Sequence, residues 1–186
     1  MRALFSFIVE PYNLRRYDNI KDIEGVDFIT STTKEDSSSS NRLATVIETP
    51  LNYTGPIQKG DILLVHHNVF KYYNDMKGRE KSGKSYFKDD LFFVEMDQFF
   101  LYKQKDQWNT HDKYCFVQPI KAEDSFLSKT GEEPLIGIIK YSNKELKEKG
   151  VKEGDRISFT PNSEYPFIIG GEKLYRMFTD NITMIL

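Results

Sequence analysis

Ile57-Gln58-Lys59-Gly60-Asp61-Ile62-Leu63-Leu64-Val65 recurs further along the chain as Val151-Lys152-Glu153-Gly154-Asp155-Arg156-Ile157-Ser158-Phe159. In both copies a Gly-Asp pair launches a short run with apolar positions. Glycine takes positive φ at no steric cost, so the pair reads as a turn feeding a strand. Upstream, Phe7-Ile8-Val9-Glu10-Pro11 recurs as Cys115-Phe116-Val117-Gln118-Pro119. Each is an apolar strand stopped at a proline, which has no N–H to give to a sheet ladder. Downstream, Asp89-Asp90-Leu91-Phe92-Phe93-Val94-Glu95-Met96-Asp97-Gln98-Phe99-Phe100-Leu101 lines up with Glu172-Lys173-Leu174-Tyr175-Arg176-Met177-Phe178-Thr179-Asp180-Asn181-Ile182-Thr183-Met184. Both show an acidic turn, a short strand, a polar break containing aspartate and a last apolar strand. Three blocks in one order describe an internal repeat. The expected fold class is all-β: two small β-barrels in tandem, residues 1–105 and 112–186, joined by a polar hinge and containing short turns of helix at most.

The spacing between blocks shows where the copies differ. Pro11 to Ile57 is 46 positions and Pro119 to Val151 is 32, so the first copy carries 14 further residues there. This region holds Thr30-Ser31-Thr32-Thr33-Lys34-Glu35-Asp36 and the serines at 37–40. Such a stretch cannot bury enough apolar surface to offset its ordering entropy. A mobile loop is therefore expected near residues 25–42. The second copy has Asn143-Lys144-Glu145-Leu146-Lys147-Glu148-Lys149-Gly150 in the matching region, where Asn143 can cap and Gly150 can end one short helical turn. Gly60 to Leu91 is 31 positions and Gly154 to Leu174 is 20. The difference places a basic hairpin insert near residues 74–85, carrying Lys77, Arg79, Lys81 and Lys84.

Composition agrees with strands. The chain has 186 residues, enough for two domains of about 90 residues each. Aromatics make up 14%, with 14 Phe and 11 Tyr, residues suited to a pleated, half-buried surface. The net charge of −2, with both signs mixed along the chain, gives no global attraction to nucleic acid or anionic membrane. The one cysteine, Cys115, excludes an internal disulfide framework and suits a reducing compartment. The first apolar run ends at Glu10-Pro11 and reads as a buried strand, not a leader. A cytoplasmic protein is expected.

The order of elements in each copy resembles the GroES-type co-chaperonins. Residues 151–159 resemble the family's Gly-Asp strand. Gly171-Glu172-Lys173-Leu174-Tyr175-Arg176-Met177-Phe178-Thr179-Asp180-Asn181-Ile182-Thr183-Met184-Ile185-Leu186 resembles its closing segment. The resemblance implies two partly open GroES-like barrels, no catalytic residue and no cofactor. It further implies that a loop near the N-terminus docks a short apolar tripeptide on the apical domain of a chaperonin. The matching stretch is Glu24-Gly25-Val26-Asp27-Phe28-Ile29-Thr30, so Val26, Phe28 and Ile29 are the expected chaperonin-binding residues. The second copy lacks this loop, with only Phe126 and Leu127 as substitutes. The implied partners are a GroEL-like chaperonin ring and further copies of the chain in a homo-oligomer, with neither nucleic acid nor membrane. The competing expectation is a viral or assembly structural protein, acting in a host cytoplasm, that reuses the barrel for self-association.

Other constellations carry less. Gly78-Arg79-Glu80-Lys81-Ser82-Gly83-Lys84-Ser85 matches the phosphate-loop pattern literally. A working phosphate loop needs a buried strand before it and a helix after it, and neither pattern flanks it here. His66 and His67 are expected on a strand, with side chains on opposite faces, unable to share one metal. His111 and Cys115 lack companions for a zinc site. No metal site is expected.

Overall fold

Gly60 and Gly154 stand at φ 91° and 94° in the computed structural model, and the turns around them share their main hydrogen bonds. The Asp61 carboxylate accepts from the Gln58 amide at 2.7 Å, and the Asp155 carboxylate accepts from the Lys152 amide at 2.7 Å. The Gly60 amide donates to the Val46 carbonyl and the Gly154 amide to the Ile139 carbonyl, both at 2.8 Å. A residue with a Cβ would be strained at either glycine, while the aspartate satisfies an amide that the turn would otherwise leave bare. These two turns set the strands that follow them.

The structure describes residues 1–17, 20–23, 26–29, 40–122 and 131–186, with the backbone alone at 20–23, 26–29, 74 and 80. The fold is all-β. Its strands are β1 (Phe7–Pro11), β2 (Ile20–Ile23), β3 (Val26–Ile29), β4 (Leu43–Glu48), β5 (Ile62–Val65), β6 (Tyr72–Asn74), β7 (Glu80–Ser82), β8 (Tyr86–Lys88), β9 (Leu91–Val94), β10 (Phe99–Gln104), β11 (Gln107–Thr110), β12 (Tyr114–Lys121), β13 (Glu132–Tyr141), β14 (Arg156–Phe159), β15 (Tyr165–Ile169), β16 (Glu172–Phe178) and β17 (Ile182–Ile185). One short helix, α1 (Lys144–Glu148), lies between β13 and β14. The Asn143 side chain caps it, accepting from the Leu146 amide at 2.8 Å, and Gly150 follows at φ 91°. The chain divides into two units, Met1–Gln107 and Trp108–Leu186.

Six strands follow the same order in both sheets. The first sheet runs β11-β10-β5-β4-β1-β9-β8, with β11 as an extra edge strand, and the second β17-β14-β13-β12-β16-β15. Register agrees as well as order. Val9 faces Val46 and Pro11 faces Ala44; Val117 faces Ile139 and Pro119 faces Gly137. Ala44 faces Leu63, and Gly137 faces Ile157. Phe92 faces Val9 and Tyr175 faces Val117, which is the pairing expected from the sequence alignment of residues 89–101 with 172–184. Two of the irregularities coincide, while those at Pro119–Lys121 and Tyr86–Lys88 have no counterpart. A bulge falls between Ile8 and Val9 and between Phe116 and Val117. Another falls where Leu101 and Phe99 meet Leu64 and Val65, and where Met184 and Ile182 meet Ser158 and Phe159. A one-residue slip would move every side chain to the other face, so register is held wherever one face is buried.

The two cores use matching positions. Phe7, Val9, Val46, Ile57, Leu63, Val65 and Val94 are buried in the first unit. Their counterparts Cys115, Val117, Ile139, Val151, Ile157, Phe159 and Met177 are buried in the second. Volume is traded across a cross-strand pair: Phe7 faces Val94, whereas Cys115 faces Met177. A large residue beside a small one becomes a small residue beside a large one, the kind of swap a close-packed core tolerates. Ring contacts complete the first core, with Phe7 edge-on to Tyr53 at 5.0 Å and to Phe99 at 5.6 Å.

One sequence expectation fails at the end of β5. His66 and His67 are not on a strand with opposed faces. The ladder ends at Val65, the chain turns, and the two imidazole rings sit 4.1 Å apart. The His66 Nδ1 accepts from the Asn68 amide at 3.2 Å, so the turn, not the sheet, sets where the rings point.

Candidate docking site

Pro11 ends β1 and the chain bends through a 3-10 turn at Tyr12–Leu14, with Asn13 and Leu14 at φ 57° and 56°. Asn41 knits this bend to the strand that returns. Its side-chain amide donates to the carbonyls of Tyr12 at 3.0 Å and Arg15 at 2.6 Å. Its side-chain oxygen accepts from the Leu43 amide at 2.9 Å, and its backbone amide donates to the Arg16 carbonyl at 3.0 Å. Tyr17 and Ser40 form an isolated antiparallel bridge. Asn41 and Ser40 are both buried. Segment 18–39 therefore leaves and rejoins the first unit at one fixed neck.

Arg16 holds that neck to the rest of the unit. Its side chain is only 9% exposed. The guanidinium lies 4.2 Å from the Tyr72 ring centroid, 4.6 Å from Phe92 and 5.2 Å from Tyr86. It donates to the Asp90 carboxylate at 3.0 Å and to the Ser82 hydroxyl at 3.2 Å. A planar cation suits this cage because it can stack on rings and hydrogen-bond at its edge together. Tyr17 adds a second tie. Its ring stacks on Tyr72 with centroids 5.9 Å apart, and its hydroxyl accepts from the Tyr72 amide at 3.0 Å.

Val26, Phe28 and Ile29, the residues expected to dock, lie together on β3. That strand pairs antiparallel with β2, placing Val26 opposite Ile23, Phe28 opposite Lys21 and Ile29 opposite Ile20. The remainder of the expected loop, residues 24–25 and 30–39, lies outside the described residues, as do Phe126 and Leu127 of the second unit. In that unit the Ala122 amide donates to the Gly131 carbonyl at 3.0 Å and closes segment 123–130. The resemblance put Val26, Phe28 and Ile29 in a mobile loop, whereas their backbone forms strand β3. Sequence reasoning missed the neck, because Arg16, Tyr17 and Asn41 act through partners remote in sequence, such as Ser82 and Asp90.

The other sequence candidates fall in different surroundings. The phosphate-loop match runs from the β6–β7 turn through β7, and strand β8, not a helix, follows Ser85. His67 is pushed down to about 4 by burial, helped by the neighbouring charges of His66, Arg42 and Lys71. Cys115 is fully buried, and burial raises its thiol to about 12. Among the described residues no three His, Cys, Asp or Glu side chains gather as metal ligands. An open cleft of about 350 Å³ in the second unit is lined by Pro119, Glu132, Leu135, Phe159 and Tyr175. Burial opposes ionisation of Glu132, but Lys173 at 2.8 Å and Tyr175 at 2.5 Å donate to it and hold its carboxyl below the usual range. Among the described residues no helix is long and apolar enough to cross a membrane. No family model matches the chain, and no curated protein matches it.

Proposed function

We propose that the chain is a co-chaperonin-like binding protein, built from two GroES-like barrels, that caps a chaperonin ring and assists protein folding. Val26, Phe28 and Ile29 on β3 are the docking residues. The observation that carries this reading is the shared order of six strands, with their register and two bulge positions, around the Gly-Asp turns of the two units, together with an apolar strand in the segment that the Tyr17–Ser40 bridge closes. The protein contributes binding and no catalytic residue; ATP hydrolysis belongs to the ring. A single apolar strand binds weakly, and several copies in one oligomer multiply weak contacts into avidity. The test is mixing with a purified chaperonin and ATP, read by size-exclusion chromatography with light scattering. Co-migration that Phe28→Asp/Ile29→Asp abolishes supports the proposal, and failure to associate under any nucleotide condition rejects it.

A second reading, a structural protein that assembles with its own copies, has its own support. β17 is an edge strand whose Met184 and Ile185 are more than half exposed, as is Leu186 beyond it. Met1, Leu4 and Phe5 are also exposed. Bare apolar edges invite strand pairing with another chain. A stable oligomer that ignores the chaperonin would favour this reading.

A further inference from the structure

Between β5 and β8 the first unit carries a hairpin that the second lacks. β6 and β7 pair Tyr72 with Ser82, Tyr73 with Lys81 and Asn74 with Glu80. Asp75 organises the tip, its carboxylate accepting from the amides of Lys77 and Arg79, both at 2.9 Å, while Gly78 supplies φ 72°. Residues 71–84 hold five cations, Lys71, Lys77, Arg79, Lys81 and Lys84, against two carboxylates, Asp75 and Glu80. The matching stretch of the second unit, 160–171, holds Glu164 and no cation. Lys77, Arg79, Lys81 and Lys84 are all exposed, and among the described residues none is ion-paired.

This hairpin is fixed to the neck of the docking segment at both of its feet. Tyr72 opens β6 and is held by the Tyr17 ring and hydroxyl. Ser82 closes β7 and accepts from Arg16. Arg16 and Tyr17 are the residues immediately before segment 18–39, and Tyr17 bridges to Ser40 immediately after it. The feet of the hairpin therefore stand at the neck through which the chain leads to the strand at 26–29. Peripheral charges such as those of the hairpin act mainly on encounter and on salt dependence.

We propose that the β6–β7 hairpin is a second, electrostatic contact for the partner that takes Val26, Phe28 and Ile29, and that this partner is a protein whose surface beside the docking groove is acidic. The inference rests on the docking reading above. The test compares the full-length protein with Lys77→Ser/Arg79→Ser/Lys81→Ser/Lys84→Ser, measuring chaperonin association with ATP across a salt series. The expected result is association about tenfold slower at low salt, a shallower salt dependence and convergence with wild type at high salt. Lys77→Arg/Lys81→Arg/Lys84→Arg keeps the charge and is expected to bind as wild type does; equal thermal midpoints show that all variants fold. Unchanged association and salt dependence in the serine variant, while Phe28→Asp/Ile29→Asp abolishes binding, overturns this inference and leaves the docking reading standing. Wild type that never associates overturns both. Salt-sensitive binding of a random oligonucleotide, lost in the serine variant, overturns the acidic-protein assignment.

Discussion

Replacing Gly137 with alanine puts a methyl group against β12. An ideal Cβ there would stand 2.3 Å from Cγ1 of Val117 and 2.9 Å from the Gln118 carbonyl oxygen. Val117 is fully buried and β-branched, so its χ1 has little freedom, and the Gln118 carbonyl belongs to the β12 backbone. Overpacking of this kind costs about 1–3 kcal/mol, offset by about 0.4–1 kcal/mol because alanine restricts the unfolded chain. The net loss is about 1–2 kcal/mol, a factor of roughly 5–30 in the opening equilibrium. Cys115 supplies the assay. It lies on β12, is fully buried and is the only cysteine, so thiol labelling under native conditions reports opening of this sheet. Labelling is expected to accelerate in proportion, with a matching fall in the denaturant midpoint. Val117→Ala in the Gly137→Ala background is expected to cost less than the two single changes added together, because it removes the atom that clashes. An unchanged labelling rate in Gly137→Ala would refute the Pro119–Gly137 register, and with it the equivalence to Pro11–Ala44.

Arg16→Ala removes a caged cation and is expected to destabilise the first unit by about 2 kcal/mol. Arg16→Lys should recover less than half, since an ammonium cannot stack as the guanidinium does; equal denaturant midpoints for all three proteins would contradict the cage. Asn143→Ala loses the cap of α1 and the 2.7 Å hydrogen bond to the Thr179 hydroxyl, an expected loss of about 2 kcal/mol by denaturant titration. Asn143→Ser, which keeps a capping oxygen, should lose less. The Cys115 thiol ionises near 9 when unfolded but near 12 when folded. Above pH 9 the unfolded chain therefore holds fewer protons, and stability falls by about 1.4 kcal/mol per pH unit until about pH 12. Cys115→Ala should remove that part of the alkaline slope, and identical slopes in the two proteins would contradict the burial.

Much of the fold was legible because turn chemistry is local. A Gly-Asp pair acts within a few residues, and Leu63 faces Ala44 as Ile157 faces Gly137; the proline closes β1 but not β12, which runs past Pro119 to Lys121. The basic hairpin was legible as a length difference between Gly60–Leu91 and Gly154–Leu174, since an insert in a fixed ladder must leave the sheet. The bulges were not legible, because nothing in the sequence of β4 or β13 marks Ile47 or Lys140 as the extra residue until the partner strand is known. His66 and His67 misled because strand alternation was carried two residues past the end of β5. At the neck, the Arg15-Arg16-Tyr17 run gave no sign that Arg16 would settle among Tyr72, Tyr86 and Phe92. A cation's aromatic cage is assembled by tertiary packing and leaves no spacing to read.

Hydrogen–deuterium exchange on the assembled complex tests the docking account most directly. With chaperonin and ATP present, the amides of residues 26–29 are expected to gain strong protection, while the Gly-Asp turns at 58–61 and 152–155 stay as they were. A complex that forms with new protection confined to β17, and none within 18–39, would contradict the account and assign assembly to the strand edge.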